Sequence, residues 1–278
     1  MISLHAVGMP NDPASFSWTE ADTMLYALGV GAGQTGDPYE LRFTTDNSAG
    51  VQPVAIPSMV VAMVQRHAPK PDYGDVDLAD VIHGEQELIV HRPIPVAGRA
   101  EVRTTIEGIY DQGKAAVALV VGQVRSLEDN ELIAETRLTA FIRNEGGFGG
   151  QRFVSRGAPL PDSRPDFRLP LTTRPEQALV YRLSGDRNPL HSDPLFARAA
   201  GFDRPILHGL CTYGAALRRM LVDVPDVDLD DFGSMFARFS KPVFPGDALV
   251  VEVWTGADIR FRVINDAGEV VLDRGCVA

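Results

Sequence analysis

Hydrophobic and polar positions along this chain follow a pattern that occurs twice. Short segments in which apolar and polar residues alternate, bounded by Gly, Asn and Asp, predict antiparallel strands. In the first half these segments are 86–92, 99–110, 115–126 and 132–143, and in the second half they are 234–239, 248–254, 259–264 and 270–277. Each half therefore contains a series of four predicted strands.

Apolar runs of helical length precede the strands in both halves. Residues 207–222 carry apolar side chains on nearly all sides, which predicts a buried helix, and residues 58–65 occupy the same place in the first half. A long helix wrapped by a curled antiparallel sheet is the hotdog fold. We therefore predict an α+β protein, a tandem double hotdog in which each half has a sheet and a central helix.

A glycine-rich segment, 146–150, separates the two patterns, and a stretch containing Pro and Arg follows it up to Pro175. Such a composition is typical of a connection rather than of a packed element. We interpret residues 1–150 as the first hotdog, 151–175 as a linker and 176–278 as the second hotdog.

Composition and charge narrow the class of protein. The chain has 278 residues, 45% hydrophobic and 23% charged, which is ordinary for a globular protein. Its net charge of −11 argues against nucleic acid as the main partner. No apolar run approaches the roughly 18 residues of a membrane span, and the two cysteines, Cys211 and Cys276, are too few for a disulfide framework. We expect a cytoplasmic protein that binds neither nucleic acid nor membrane.

The candidate chemistry is concentrated in residues 181–194, Tyr-Arg-Leu-Ser-Gly-Asp-Arg-Asn-Pro-Leu-His-Ser-Asp-Pro. Pro189 disfavours the helical conformation for Asn188, so the segment is predicted to be a loop that presents its side chains. Asp186 and His191 are residue types that hold a water molecule and move its protons near neutral pH. The alternative is that the Asp and Asn side chains only cap the helix that follows.

Together with residues 201–214, which include Pro-Ile-Leu-His-Gly, this segment resembles the signature of the MaoC-like hydratases. More narrowly, it resembles the (R)-specific 2-enoyl-CoA hydratase, hydratase 2, in its two-module form. The resemblance implies a hydro-lyase that converts trans-2-enoyl-CoA to (3R)-3-hydroxyacyl-CoA in the β-oxidation of fatty or sterol side-chain acyl groups. It implies no cofactor, since CoA is part of the substrate.

The same resemblance implies roles for particular residues. Asp186 and His191 would share the reacting water, and the sequence leaves open which is the base and which the acid. Gly209, at the start of the buried helix, would offer its N–H to the thioester oxygen, where the helix dipole favours the developing enolate. The other implied contacts are Asn188, which would orient the water or its partners, His83 and Gly84 at the CoA, Lys114 near the CoA phosphates, and Phe239 in the active half.

The first half lacks the candidate catalytic side chains. Aligning the Tyr-x-Leu segments of the two halves places Gly31 opposite Asp186 and Gly36 opposite His191. We therefore predict that the first hotdog is a degenerate copy. Two interpretations of its glycines stay open: they make room for a bulky acyl group, or they belong to a surface loop with no part in binding.

Two other patterns are weaker. Residues 31–36 satisfy Gly-x-Gly-x-x-Gly, but a helix-like run precedes them where a dinucleotide site requires a strand. His191, Asp193 and His208 could suggest metal ligands, but the pair His191-x-Asp193 shows no third ligand or supporting groups, and the His208-Gly209 pair is better used otherwise. We predict no bound metal.

Two further functions stay open. A related hotdog dehydratase would act on acyl-carrier-protein substrates in fatty-acid or polyketide synthesis. A non-catalytic acyl-CoA-binding subunit would complete the site of a partner. The intact pair of Asp186 and His191 favours catalysis by this chain. We expect an acyl-CoA thioester as its substrate and a homodimer as its assembly.

Overall fold

The computed structural model describes residues 2–278 and contains the predicted repeat. The first half consists of β1 (Ala14–Trp18), α1 (Glu20–Gly29), α2 (Leu41–Thr44), α3 (Met59–His67), β2 (Val81–Val90), β3 (Gly98–Asp111), β4 (Ala115–Ser126) and β5 (Leu132–Arg143). The second half consists of β6 (Phe167–Thr172), α4 (Gln177–Tyr181), α5 (Pro194–Ala199), α6 (Gly209–Asp223), β7 (Ser234–Phe239), β8 (Ala248–Trp254), β9 (Ile259–Asn265) and β10 (Val270–Val277). Both halves thus run in the order strand, three helices, four strands.

The ten strands form one sheet in the order β1-β3-β4-β5-β2-β7-β10-β9-β8-β6. Read outward from its centre, the sheet has the same arrangement on both sides, with β2 and β7 in the middle and β1 and β6 at the edges. β2 pairs antiparallel with β7, with Glu85 opposite Arg238 and Ile89 opposite Ser234. The two hotdogs are therefore joined by backbone hydrogen bonds into a continuous sheet.

The central helices differ in length. α6 has 15 residues, of which 11 are buried, whereas α3 has nine, of which five are buried. Both helices contribute to one hydrophobic core that includes strand residues of both halves. Each large apolar side chain buried there, such as Leu217 or Met220 of α6, stabilises the fold by about 1.5–3 kcal/mol relative to exposure.

The eight predicted strands and the two central helices are confirmed, but β1 and β6 were not predicted and β2 is longer than predicted. β2 begins at Val81 rather than at residue 86, and its pairing with β5 shifts register between His83 and Glu85. Residues 167–172 lie inside the predicted linker, 151–175, yet they form β6 and pair with β8. Pro170 is tolerated in β6 because this strand is at the edge of the sheet and needs hydrogen bonds on one side only.

Candidate active site

The loop before α5 has the conformation that its sequence predicts. Asn188, held by the following proline, has φ −56° and ψ 124°, outside the helical region. Its side-chain oxygen accepts from the N–H of Leu190 at 3.0 Å, and Asp186 Oδ1 accepts from the N–H of Asn188 at 2.9 Å. Asp193 caps α5 through the N–H of Leu195. These local hydrogen bonds thus occupy Asn188 Oδ1, Asp193 Oδ1 and Asp186 Oδ1, while Asp186 Oδ2 accepts from none of these backbone N–H groups.

The geometry of His191 fixes which of its nitrogens carries the proton. Nδ1 lies 2.9 Å from the backbone oxygen of Ile206, and because a carbonyl can only accept, Nδ1 must donate. In the neutral ring Nε2 then has a free lone pair, and it lies 3.9 Å from Asp186 Oδ2. That separation is too long for a direct hydrogen bond and leaves these two acceptors to be linked through a water molecule.

Burial keeps the His191 ring neutral. The side chain of His191 is 10% exposed and that of Asp186 is 18% exposed. Burial lowers the pKa of His191, and the Ile206 carbonyl and the Asp186 carboxylate only partly offset this effect. Near neutral pH the imidazole is therefore a proton acceptor.

A second histidine lies beside Asp186 and His191. His208 lies directly before α6, and its ring stacks on that of His191 with centroids 3.8 Å apart. Its Nε2 donates to the backbone oxygen of Asp186 at 3.2 Å. The Pro-Ile-Leu-His-Gly motif contains this residue, and the sequence linked it to His191 only as a possible metal ligand.

One oxygen or nitrogen from each of Asp186, His191 and His208 lies within 4.8 Å of the others, as in a metal site. The stacked rings argue against this use, because the lone pairs of two stacked imidazoles lie in nearly parallel planes and do not converge on a shared ion. The absence of a bound metal remains a prediction.

Gly209 is the first residue of α6, so its N–H has no partner within the helix. A Cβ at this position would lie 2.9 Å from Cδ1 and Cε1 of Phe239. A side chain at this position would therefore force the Phe239 ring to shift at the start of α6.

The first half also contributes to the site. Gln65, on α3, donates from Nε2 to Asp186 Oδ2 at 3.4 Å. A Cβ at Gly185 would lie 2.7 Å from the backbone oxygen of Ala62, so only glycine lets the loop approach α3 this closely. Sequence reasoning missed Gln65 because nothing in the motif indicates a contact 121 residues away.

The predicted substrate contacts lie where the two halves meet. The rings of His83 on β2 and Phe239 on β7 are in contact, edge to face, with centroids 4.6 Å apart. Burial lowers the pKa of His83 to about 4, partly offset by the nearby Asp186, and its Nε2 is buried without a hydrogen-bond partner among residues 2–278. Gly84 lies at the register shift of β2. The structure therefore brings these three residues together with Gly209.

Lys114 lies apart from this group. It is exposed in the turn between β3 and β4, and β4 is two strands from β2 in the sheet. Its predicted contact with the CoA phosphates remains a prediction.

Gly31, the first-half residue that aligns with Asp186, is closely packed by other side chains. Gly31 is buried, and a Cβ there would lie 2.9 Å from the Gln34 side chain and 3.6 Å from Arg218. Arg218 of α6 donates to the backbone oxygen of Val30 at 3.1 Å and forms a buried ion pair with Glu40. At Gly31 the idea that a small residue opens room for an acyl group is therefore wrong. Gly36, by contrast, is exposed.

A cavity of about 190 Å³ lies beside α3 instead. It is bounded by apolar side chains of β1, α1 and α3 and by polar groups, among them Ser184 from the loop that carries Asp186. The lining residues are Phe16, Ser17, Trp18, Asp22, Leu25, Tyr26, Met59, Ala62, Met63, Arg66, His67 and Ser184. The cavity thus adjoins α3, the shorter of the two central helices.

The glycine pattern at 31–36 is not in the context of a dinucleotide site. It follows helix α1 rather than a strand, as the sequence indicates. In the described residues, 2–278, no helix has both the length and the apolar character needed to cross a bilayer.

The fold and site define a double-hotdog protein with a paired aspartate and histidine in its second half. Residues 157–273 match the MaoC like domain, and residues 16–144 match the MFE-2 hydratase 2 N-terminal domain. The chain belongs to the MaoC-like family, in its two-module hydratase 2 form.

Relatives cover nearly the whole chain. It is 44% identical to 3-hydroxyacyl-thioester dehydratase Y of Mycobacterium tuberculosis, over 99% of this chain and 98% of the relative. It is 39% identical to enoyl-CoA hydratase ChsH3 of the same organism, over 90% and 87%. The crystal structure of a MaoC-like dehydratase from Phytophthora capsici superposes with a TM-score of 0.89 at 29% identity, covering 100% of this chain and 97% of that one.

Proposed function

We propose that this chain is a hydro-lyase that adds water to trans-2-enoyl-CoA to form (3R)-3-hydroxyacyl-CoA, in the β-oxidation of fatty or sterol side-chain acyl groups. The observation that carries the proposal is the 3.9 Å gap between His191 Nε2 and Asp186 Oδ2. Both atoms are hydrogen-bond acceptors, and a water between them would donate one hydrogen to each. The names of the two relatives, a hydratase and a thioester dehydratase, agree with this chemistry.

The reaction needs a proton acceptor for water, which the dyad formed by Asp186 and His191 supplies. As the water oxygen bonds to C3, one of its protons passes to the dyad, and the C2–C3 π electrons move toward the thioester oxygen. The same proton is then returned to C2, so that water is added with no other reactant. Well-placed acid–base groups typically contribute about 10²–10⁴-fold to the rate. The lowered pKa of His191 suits this task because the ring is neutral before the reaction.

The enolate oxygen would be stabilised at the start of α6. There the Gly209 N–H lacks a helical partner, and the helix dipole favours negative charge. His83, Gly84 and Phe239 lie beside it, so we place the thioester arm of CoA across the junction of β2 and β7. Asn188 keeps its side-chain N–H₂ to orient the water, and the exposed Lys114 would meet the CoA phosphates.

The acyl chain would occupy the cavity beside α3. Ser184 lines this cavity and lies two residues before Asp186, so the cavity adjoins the reacting carbons. Its apolar walls offer favourable burial for methylene groups or for a sterol side chain. In this proposal the second half performs the chemistry and the first half receives the acyl group.

A second candidate is dehydration of a (3R)-hydroxyacyl thioester on acyl carrier protein, since the same groups catalyse both directions. The name of the 44% identical relative, a thioester dehydratase, supports this second candidate. A non-catalytic role is disfavoured by the assembled dyad. We also propose, as expected from the sequence, a cytoplasmic homodimer that needs no cofactor or metal, and light scattering after gel filtration tests the dimer.

The test of the function is loss of the enoyl-thioester absorbance with crotonyl-CoA and with longer enoyl-CoAs. Chiral analysis should give the (3R) product, and EDTA should leave the rate unchanged. Matched enoyl thioesters on CoA and on acyl carrier protein separate the two candidates through kcat/KM. A (3S) product, or no hydration of either carrier, would contradict the proposal.

A further inference from the structure

His208 contacts both members of the dyad without belonging to it. It lies in front of the first turn of α6 with φ −60° and ψ 132°, and its side chain does not cap the helix. Instead Nε2 donates to the backbone oxygen of Asp186 at 3.2 Å. Its ring stacks on His191 with centroids 3.8 Å apart and 29° between the planes, and it also contacts the Tyr181 ring at 4.9 Å.

These contacts restrain the two groups whose separation the reaction needs. The hydrogen bond from His208 Nε2 holds the backbone of Asp186. The His191 ring is held by its own hydrogen bond to the Ile206 carbonyl, and the stacked His208 ring limits its rotation about that hydrogen bond. Because the carbonyl of Asp186 can only accept, the neutral His208 ring must carry its hydrogen on Nε2. Its Nδ1 is buried and has no hydrogen-bond partner in the described part of the chain, 2–278. A histidine with so few partners is better explained by its two contacts with the dyad than by packing alone.

We propose that His208 is a positioning residue for the reaction: its Nε2–H fixes Asp186, its ring fixes and covers one face of His191, and both constraints originate at the start of α6. This inference rests on the proposed function. His208 links α6, which presents Gly209, to the loop that presents the dyad. The start of α6 therefore sets the distance between the enolate site and the water site.

The electrostatic surroundings agree with this role. Burial lowers the pKa of His208 to about 3, with further lowering by His191 and Arg182 and an opposing effect of the Asp186 carbonyl. The titratable group that faces His191 on its own loop is Asp186, and the one at the start of α6 is His208. On β2, the charge of Asp186 also raises the pKa of His83, against the larger lowering by burial. A neutral His208 covers His191 without adding charge, and its removal would admit water to the His191 ring.

Two variants separate the ring contact from the hydrogen bond. His208→Phe keeps an aromatic ring beside His191 but removes the donor, and we expect kcat to fall about tenfold with little change in KM, as for loss of one hydrogen bond. His208→Asn keeps a donor and is well accepted before a helix, but it uncovers His191. For this variant we expect the pKa of His191 to rise toward the ordinary value of about 6.5. The acidic limb of the pH–rate profile should then move to higher pH.

The readout that a merely structural role would not move is the His191 titration. It is measured by ¹⁵N NMR of the full chain with labelled histidine, in the wild type and in both variants, with circular dichroism as the folding control. A wild-type pH profile and His191 titration in folded His208→Asn, or a wild-type kcat in folded His208→Phe, would overturn the proposal.

The wild-type spectrum tests the idea even if the variants do not fold. His208 should be the Nε2–H tautomer and should stay neutral at pH 5. Protonation near pH 6, or the Nδ1–H tautomer, would overturn the proposal as well. These NMR results need no substrate, so a wild type that hydrates no enoyl-CoA would refute the proposed function and be told apart from a failure of His208.

Discussion

The two halves of this molecule have the same order of elements but have diverged at two places. In the second half the loop before the central helix carries Asp186 and His191, whereas the corresponding position in the first half, Gly31, is closed by Arg218. The second-half helix α6 has 15 residues, and the first-half helix α3 has nine. Under the proposed function, the repeated fold assigns catalysis to one copy and space for the substrate to the other.

Substitutions in the dyad give the strongest test of the difference between the two halves. Replacing Asp186 by Asn or His191 by Ala should lower kcat for crotonyl-CoA by at least about 10²-fold, because the water loses a proton acceptor. The control is Asp37→Asn in the first-half loop, where the side chain caps a short turn through the N–H of Tyr39 and Asn can do the same. Near-normal turnover by either dyad variant, or an equal loss in Asp37→Asn, would contradict the division of labour.

Gly209 tests whether α6 supplies the oxyanion donor. Gly209→Pro removes the N–H at a helix position where proline is accepted, and kcat should fall by about 10²–10³. Gly209→Ala is the matched control, because it brings the same Cβ against Phe239 but keeps the N–H. The ratio of the two rates isolates the donor. Equal rates in the two folded variants would mean that the enolate is stabilised elsewhere.

The Arg218–Glu40 ion pair should matter for stability rather than for turnover. Arg218→Met leaves the buried Glu40 unpaired and should reduce the free energy of unfolding by about 3–5 kcal/mol, measured with urea. Adding Glu40→Leu should restore part of this loss. The same change in the exposed pair of Arg143 and Asp80 should cost under about 1 kcal/mol. A folded Arg218→Met with much lower kcat would show that the filled site still takes part in the reaction.

The cavity beside α3 predicts a smaller, selective effect. Leu25→Trp narrows the cavity and should lower kcat/KM for long enoyl-CoAs about tenfold, which corresponds to lost contact for about two methylene groups. Crotonyl-CoA should be unaffected. Leu28→Trp is the control, since Leu28 is on the same helix but exposed and outside the cavity. A uniform loss for short and long substrates would place the acyl chain elsewhere.

Much of the fold could be predicted from the sequence because its strands alternate and its turns carry Gly, Asn and Asp. β6 escaped notice because Pro170 interrupts its pattern, and only its edge position makes the proline acceptable. The early part of β2 was missed because polar residues and Gly84 occur at a register shift. Local rules describe regular pairing and cannot reveal where the sheet deviates from it.

In the candidate site, too, local features could be predicted and long-range contacts could not. Asp186 and His191 are close in sequence, and their local motif was enough to find them. Gln65 and the pair of Glu40 with Arg218 act over separations of 121 and 178 residues, which no local pattern encodes. His208 was visible as a residue type, but its stacking on His191 depends on how α6 meets the loop. Contacts between elements, most of them between the two halves, were therefore the part that sequence reasoning could not supply.

The pairing of β2 with β7 has a consequence for how the enzyme behaves on dilution. Because both strands are segments of one chain, their encounter is intramolecular, with an effective concentration independent of how much protein is present. The contact that brings Gln65 to Asp186 cannot be lost by dissociation of these two halves. Specific activity should thus stay constant down to low protein concentrations, and active-site titration should yield one equivalent per chain rather than two.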